Sequence, residues 1–137
     1  MKLKTEIVAL CDYANISREG KININGVFDE VRVQNFPGGI ARAFFVAVVR
    51  GTTNQSYNLT LKVESEKNTP SPLKPLPINI QTSFSGKSNI LVELANIVFQ
   101  NPGDYQFTIY ENQELVGSTM LKVLHGSYEK RKDTKPN

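Results

Sequence analysis

The stretch Asn101-Pro102-Gly103-Asp104-Tyr105-Gln106-Phe107-Thr108-Ile109-Tyr110, followed by Glu111-Asn112-Gln113-Glu114 and a second apolar run over 115–123, decides the fold. Pro102 and Gly103 make a corner, because Pro presets one dihedral and Gly accepts a positive φ without a Cβ clash. Tyr105, Phe107 and Ile109 then share one face of a strand, and the polar quartet 111–114 reads as a tight turn into a return strand. This is the closing hairpin of a β-sandwich, with Tyr105 just past a glycine, where such folds keep a corner tyrosine.

Working outward, the chain shows extended segments and almost no helical periodicity. Residues 5–13, with Ile7, Val8, Ala9, Leu10 and Cys11 in a row, read as a buried first strand. A turn over 15–20 leads to 21–28, where Ile22, Ile24 and Phe28 are expected to point inward. Gly26 falls on that same face and predicts a bulge or a close backbone approach. The apolar phase shifts to Val31 and Val33, and Phe36-Pro37-Gly38-Gly39 reads as a corner. Residues 41–49 are the most apolar run; their β-branched and aromatic content favours a central strand covered on both sides.

Tyr57, Leu59, Leu61 and Val63 alternate with polar residues, as in a half-exposed strand. Pro70, Pro72, Pro75 and Pro77 exclude a central strand and predict a polyproline-like crossing from one sheet to the other. Ile78, Ile80 and Phe84 suggest a short strand, and Ser85-Gly86-Lys87-Ser88 a turn. Ile90, Val92 and Leu94 alternate, the phase slips at Ala95-Asn96, and Ile97 and Phe99 plug the corner before the closing hairpin. The expected fold is an all-β, immunoglobulin-like sandwich of about seven to nine antiparallel strands. One domain is expected over 1–126, with a basic, flexible tail over 127–137 that includes Lys130-Arg131-Lys132 and Lys135.

Composition narrows the function classes. The 137 residues carry 16 basic and 13 acidic side chains, a mild net charge of +3. No run approaches the roughly 18 apolar residues that span a bilayer. The short apolar patch behind Lys2 and Lys4 ends at Asp12, too soon for a secretory signal, so a cytoplasmic location is expected. Basic residues are scattered and aromatics are mostly on inward faces, which argues against nucleic acid and gives no membrane element. Asn15, Asn54 and Asn58 head glycosylation triplets that matter only in a secretory pathway.

Catalytic apparatus is not visible. The single Cys11 permits no intrachain disulfide and no cysteine zinc site, and it reads as a buried small hydrophobe. His125 is the only histidine and lies at a strand end, so it has no histidine or cysteine partner for a metal and reads as half in solvent. Gly86-Lys87-Ser88 lacks the first glycine and the helix of a phosphate loop. Asp12, Asp29, Glu30 and Asp104 sit near strand ends and read as solvated loop acids unless they converge on a calcium ion. Pro72-x-x-Pro75 matches a minimal polyproline ligand but reads as a connection. No catalytic residue, metal ligand or cofactor is assigned, and the binding residues stay open.

Three motifs carry a resemblance: Ala9-Leu10-Cys11-Asp12-Tyr13-Ala14, Gly20-Lys21-Ile22-Asn23-Ile24-Asn25-Gly26-Val27-Phe28-Asp29, and Phe36-Pro37. With the closing Pro-Gly-x-Tyr-x-Phe hairpin, the chain resembles a family of small bacterial proteins of unknown function over nearly the whole of 6–123. The resemblance implies an immunoglobulin-like sandwich in the cytoplasm of a bacterium or phage, and it transfers no catalytic residue. The chain lacks the tryptophan and the paired cysteines of antibody domains, so only architecture is shared with those. The expected role is a non-catalytic protein-binding or self-associating module acting through edge strands or the loops 15–20, 51–55, 65–77 and 85–89. The alternative is a carbohydrate or small-ligand module stacking on Tyr13, Tyr57 and Tyr110, and an enzyme ranks last.

Overall fold

The computed structural model describes residues 2–67 and 69–127. Within them the chain forms β1 (Lys4–Ile16), β2 (Ile22–Phe28), β3 (Glu30–Val33), β4 (Gly38–Arg50), β5 (Ser56–Ser65), β6 (Leu76–Gln81), β7 (Lys87–Phe99), β8 (Gly103–Glu111) and β9 (Glu114–His125). They make two sheets, a front sheet ordered β2-β1-β4-β7 and a back sheet ordered β3-β9-β8-β5-β6. The period-2 alternation decides which side chains meet between them. Leu59, Leu61 and Val63 of β5, Tyr105, Phe107 and Ile109 of β8, and Leu121 and Val123 of β9 pack with Leu10, Phe45, Val49, Ile90 and Leu94 of the front sheet. Each such side chain contributes about 1.5–3 kcal/mol when buried, so a one-residue slip of any strand would be prohibitive. The result is an immunoglobulin-like all-β sandwich.

Tyr105 is a corner tyrosine in fact as well as in expectation. Its Oη donates to the Asn101 carbonyl at 2.6 Å, four residues upstream, and its ring sits 4.7 Å from that of Phe99. The corner between β7 and β8 is thus closed by a hydrogen bond and an aromatic pair together.

β4 is covered on both sides, which explains why 43–49 is an unbroken apolar run. Phe45, Ala47 and Val49 face the main core, whereas Phe44 and Val46 form a second buried cluster with Cys11 and Ala14 on the outer face of the front sheet. The cover over that face is the far half of the β1–β2 hairpin. Cys11 pairs with Val27 and Tyr13 with Asn25, but Asp12 and Gly26 between them do not pair. Gly26 takes φ 70°, and a Cβ there would overlap the Asp12 carboxylate, so the position demands glycine. Past this break the hairpin folds back as a flap over the front sheet. Its tip is fastened to β7, where Asn89 Nδ2 donates to the Gly20 carbonyl at 3.0 Å.

The flap corrects one expectation. Phe28 does pack against the main core, but Ile22 and Ile24 pack against the second cluster, because Gly26 switches the phase between them. A matching switch lies across β4 and β7. Arg42 pairs with Ala95 and Ile40 with Ile97, while Ala41 and Asn96 do not pair and Asn96 takes φ 52°. The phase slip expected at 95–96 is this break, and it returns Ile97 and Phe99 to the core after Leu94.

Three further expectations change. The sandwich is not wholly antiparallel, because β3 runs parallel to β9, with Val31 opposite Val123. The proline-rich segment does not cross between sheets; it joins β5 to its antiparallel neighbour β6 within the back sheet. Phe84 is not in a strand with Ile78 and Ile80 but at the tip of the β6–β7 turn, 83% exposed. The tail expected over 127–137 lies, apart from Ser127, outside the described residues, as does Tyr128.

Candidate functional site

A two-sheet sandwich offers partners its four sheet edges, and three of them here are blunted. β2 has seven residues and is broken at Gly26; β3 has four; β6 has six, with Pro77 inside and Pro75 just before it. Proline cannot donate to a ladder, and short or broken edges template poorly. β7 differs. It has thirteen residues without a proline, it pairs with β4 along one side, and among the described residues no strand pairs with its other side. Its outer face carries Asn89, half-buried Leu91 and exposed Glu93, the last paired with Arg42 of β4 at 3.0 Å.

The turn leading into β7 is rigid and displays an aromatic ring. Thr82 is buried; its hydroxyl donates to the Thr52 carbonyl and accepts from the Gln55 amide at 2.9 Å. Asn54 N donates to Ser83 O at 3.0 Å and Gly51 N to Gly86 O at 2.8 Å. The loops expected at 51–55 and 85–89 therefore act as one body. Within it, Ser83 Oγ accepts from the Ser85 and Lys87 amides and pairs with Ser85 Oγ at 2.7 Å. Phe84 stands out from this network with its ring in solvent. The loop at 15–20 is the tip of the flap, and the loop at 65–77 is pinned to β5 by Ser71 Oγ donating to Val63 O at 2.7 Å.

The other sequence candidates separate. Tyr57 is buried, with its hydroxyl accepting from the Thr52 amide at 3.0 Å. Tyr13 is half-exposed and edge-on to Phe44 at 5.4 Å, while Tyr110 lies on the back sheet and donates to Glu64 at 2.7 Å. That bond to the Glu64 carboxylate raises the Tyr110 hydroxyl above its ordinary value. One ring is thus in the core, and the other two lie on opposite sheets. His125 is exposed and tilted against Phe36 at 6.1 Å. Among the described residues, no three His, Cys, Asp or Glu side chains are placed to hold a metal ion. Asp12 and Glu30 do share a cleft of about 340 Å³ with Phe28, Val31, Ile40 and Arg42. Among the described residues no helix is long and apolar enough to cross a membrane.

A family model described as "Family of unknown function (DUF6941)" matches residues 6–124. The chain belongs to this family. The DUF6941 match runs from β1 into the end of β9, and so takes in the flap, both phase switches and the corner tyrosine. No curated protein matches the chain. Among solved structures it is similar to a GH3 β-glucosidase of Bifidobacterium adolescentis, at 10% identity and TM-score 0.53, covering 97% of this chain and 19% of the other. It is also similar to the alkylpurine DNA glycosylase AlkC of Pseudomonas fluorescens, bound to DNA containing an abasic site analog, at 9% identity and TM-score 0.52, covering 89% and 30%. An immunoglobulin-like protein of Pseudomonas aeruginosa matches at 12% identity and TM-score 0.42, covering 90% and 97%. The chain spans less than a third of the length of the two enzymes.

Cys11 is fully buried beneath the flap, as expected of a thiol packed as a hydrophobe. Burial pushes its pKa up, and the Asp12 carboxylate adds to this against the lowering effect of the Tyr13 and Asn25 backbone. The unfolded thiol ionises near pH ~8.5. Because the folded value is higher, the unfolded state ionises first. The thiol's contribution to stability is whole below that pH and is lost as pH rises through the folded value. Urea titrations of wild type and Cys11→Ala should therefore show a stability gap that narrows steadily from about pH 7.5 to 10. A gap independent of pH would refute the burial argument.

Proposed function

We propose that the chain is a non-catalytic interaction module that works by strand addition along the open side of β7. The observation carrying this reading is the contrast among its four edges: three are short, broken or blocked by proline, and the longest is left open. Natural sandwiches guard such edges, because unpaired N–H and C=O groups recruit another strand. An edge that is regular over 87–95, free of proline and left open is best explained by a strand that belongs there.

A carbohydrate module would need two or three exposed rings in a row, and the separation of Tyr13, Tyr57 and Tyr110 gives it no platform. The unpaired, buried Cys11 fits a reducing cytoplasm, in a bacterium or phage. The test is hydrogen exchange on β7 in two samples, the concentrated protein alone and the protein with a displayed library of short extended peptides. Slowed exchange along 87–95 in either sample supports strand addition, and unchanged β7 in both overturns it.

A further inference from the structure

We propose that the strand completing the front sheet is β7 of a second copy, paired antiparallel about a two-fold axis at Leu91. This rests on the strand-addition reading and names its partner. The regular part of β7 runs from its start at Lys87 to Ala95, since Asn96 breaks the strand with φ 52°. The midpoint of 87–95 is Leu91. An antiparallel pair centred there sets Leu91 against the partner's Leu91, Ile90 against the partner's Val92, and Asn89 against the partner's Glu93. Lys87 then meets the partner's Ala95. No like charges stand opposite one another in this register, and the polar residues of the outer face meet polar residues. Centring the axis on Glu93 would set two carboxylates face to face, which is destabilising.

This register is also the longest available: all nine residues of 87–95 find an opposite number, and moving the axis along the strand in either direction leaves residues at one end without one. The assembly is an eight-stranded front sheet with β7 and the partner's β7 at its centre. It is isologous and closed, so it stops at two copies.

Cysteine trapping reads the register directly. Opposed residues have Cα atoms about 4.5–5.5 Å apart, within disulfide reach. Leu91→Cys should give a covalent dimer on mild oxidation. Glu93→Cys should not, because its twin would lie four residues along the strand, about 13 Å away. Wild type, with Cys11 buried, is the control. Because Leu91 also packs on the flap cluster, exposed Ala95 supplies a second probe through its pairing with the partner's Lys87. Ala95→Glu should tighten and Ala95→Lys loosen the dimer in sedimentation, by about tenfold between the two. A monomer at all concentrations, failure of Leu91→Cys to crosslink, or equal affinities for the Ala95 variants would overturn the proposal. Should the concentrated protein stay monomeric while displayed peptides protect β7, strand addition stands and the second copy falls. Protection in neither case removes both.

Discussion

Tyr105→Ala is expected to lower stability by about 3–5 kcal/mol, the range for truncating a large buried aromatic. Three losses coincide at this residue. The side chain is 1% exposed, so its removal leaves a cavity between the sheets; the 4.7 Å ring contact with Phe99 goes; and the Asn101 carbonyl loses its donor. Tyr105→Phe separates the last from the first two. It keeps the volume and the ring contact and drops only the hydroxyl, so it should cost about 1–2 kcal/mol. For a domain of this size each kcal/mol lowers Tm by roughly 3–5 °C, and calorimetry on both variants resolves the difference. Near-equal losses for the two would show that the hydrogen bond, not the ring, closes the corner. A Phe variant as stable as wild type would show the hydroxyl to be idle.

Gly86→Ala is the second large effect, and Gly20→Ala is its internal standard. Both glycines lie in the left-handed region, at φ 83° and φ 82°. A Cβ on Gly20 meets nothing within 4 Å, whereas one on Gly86 would overlap the Gly51 carbonyl oxygen. Backbone strain alone costs roughly 1–2 kcal/mol, so Gly20→Ala should lose about that much. Gly86→Ala should lose about twice as much, because the 51–55 and 82–86 loops must part to admit the methyl, breaking the Gly51 N to Gly86 O bond. Denaturant midpoints for the pair test this. Equal losses would mean that the two loops yield freely, and that Phe84 is not held by a rigid base.

Alternation and turn chemistry made most of the strands legible in the sequence. The corner at Tyr105, the central run of β4 and the phase slip at Asn96 were all readable, because each is a local property of the residues concerned. What escaped depends on which strand lies beside which. Ile22 and Ile24 alternate as any inward-facing pair does, and only the bend at Gly26 sends them to the other side of the front sheet. The prolines of 70–77 correctly excluded a central strand, yet whether they bridge sheets or neighbours is set by sheet order. The parallel pairing of β3 with β9 joins residues about ninety positions apart and leaves no local trace. The site was the least legible part. That β7 is an edge follows from topology alone, and Phe84 was hidden by its distance of four residues from Ile80. The run Ser83-Phe84-Ser85-Gly86, with three turn formers around the ring, was the available signal.

The parallel partnership of β3 with β9 also bears on synthesis. β9 is made after the other strands of the described residues, yet it sits second in its sheet, between β3 and β8. While the ribosome is still producing 114–125, β3 has no neighbour in its sheet and the part of β1 that faces β9 lacks its cover, even though β1, β2 and β4 already exist. The nascent chain must carry that apolar surface until the final strand threads into place. Completion of the sandwich is thus a late, nearly all-or-none event, and a stall before β9 leaves an unfinished sandwich with exposed apolar surface for chaperones to hold.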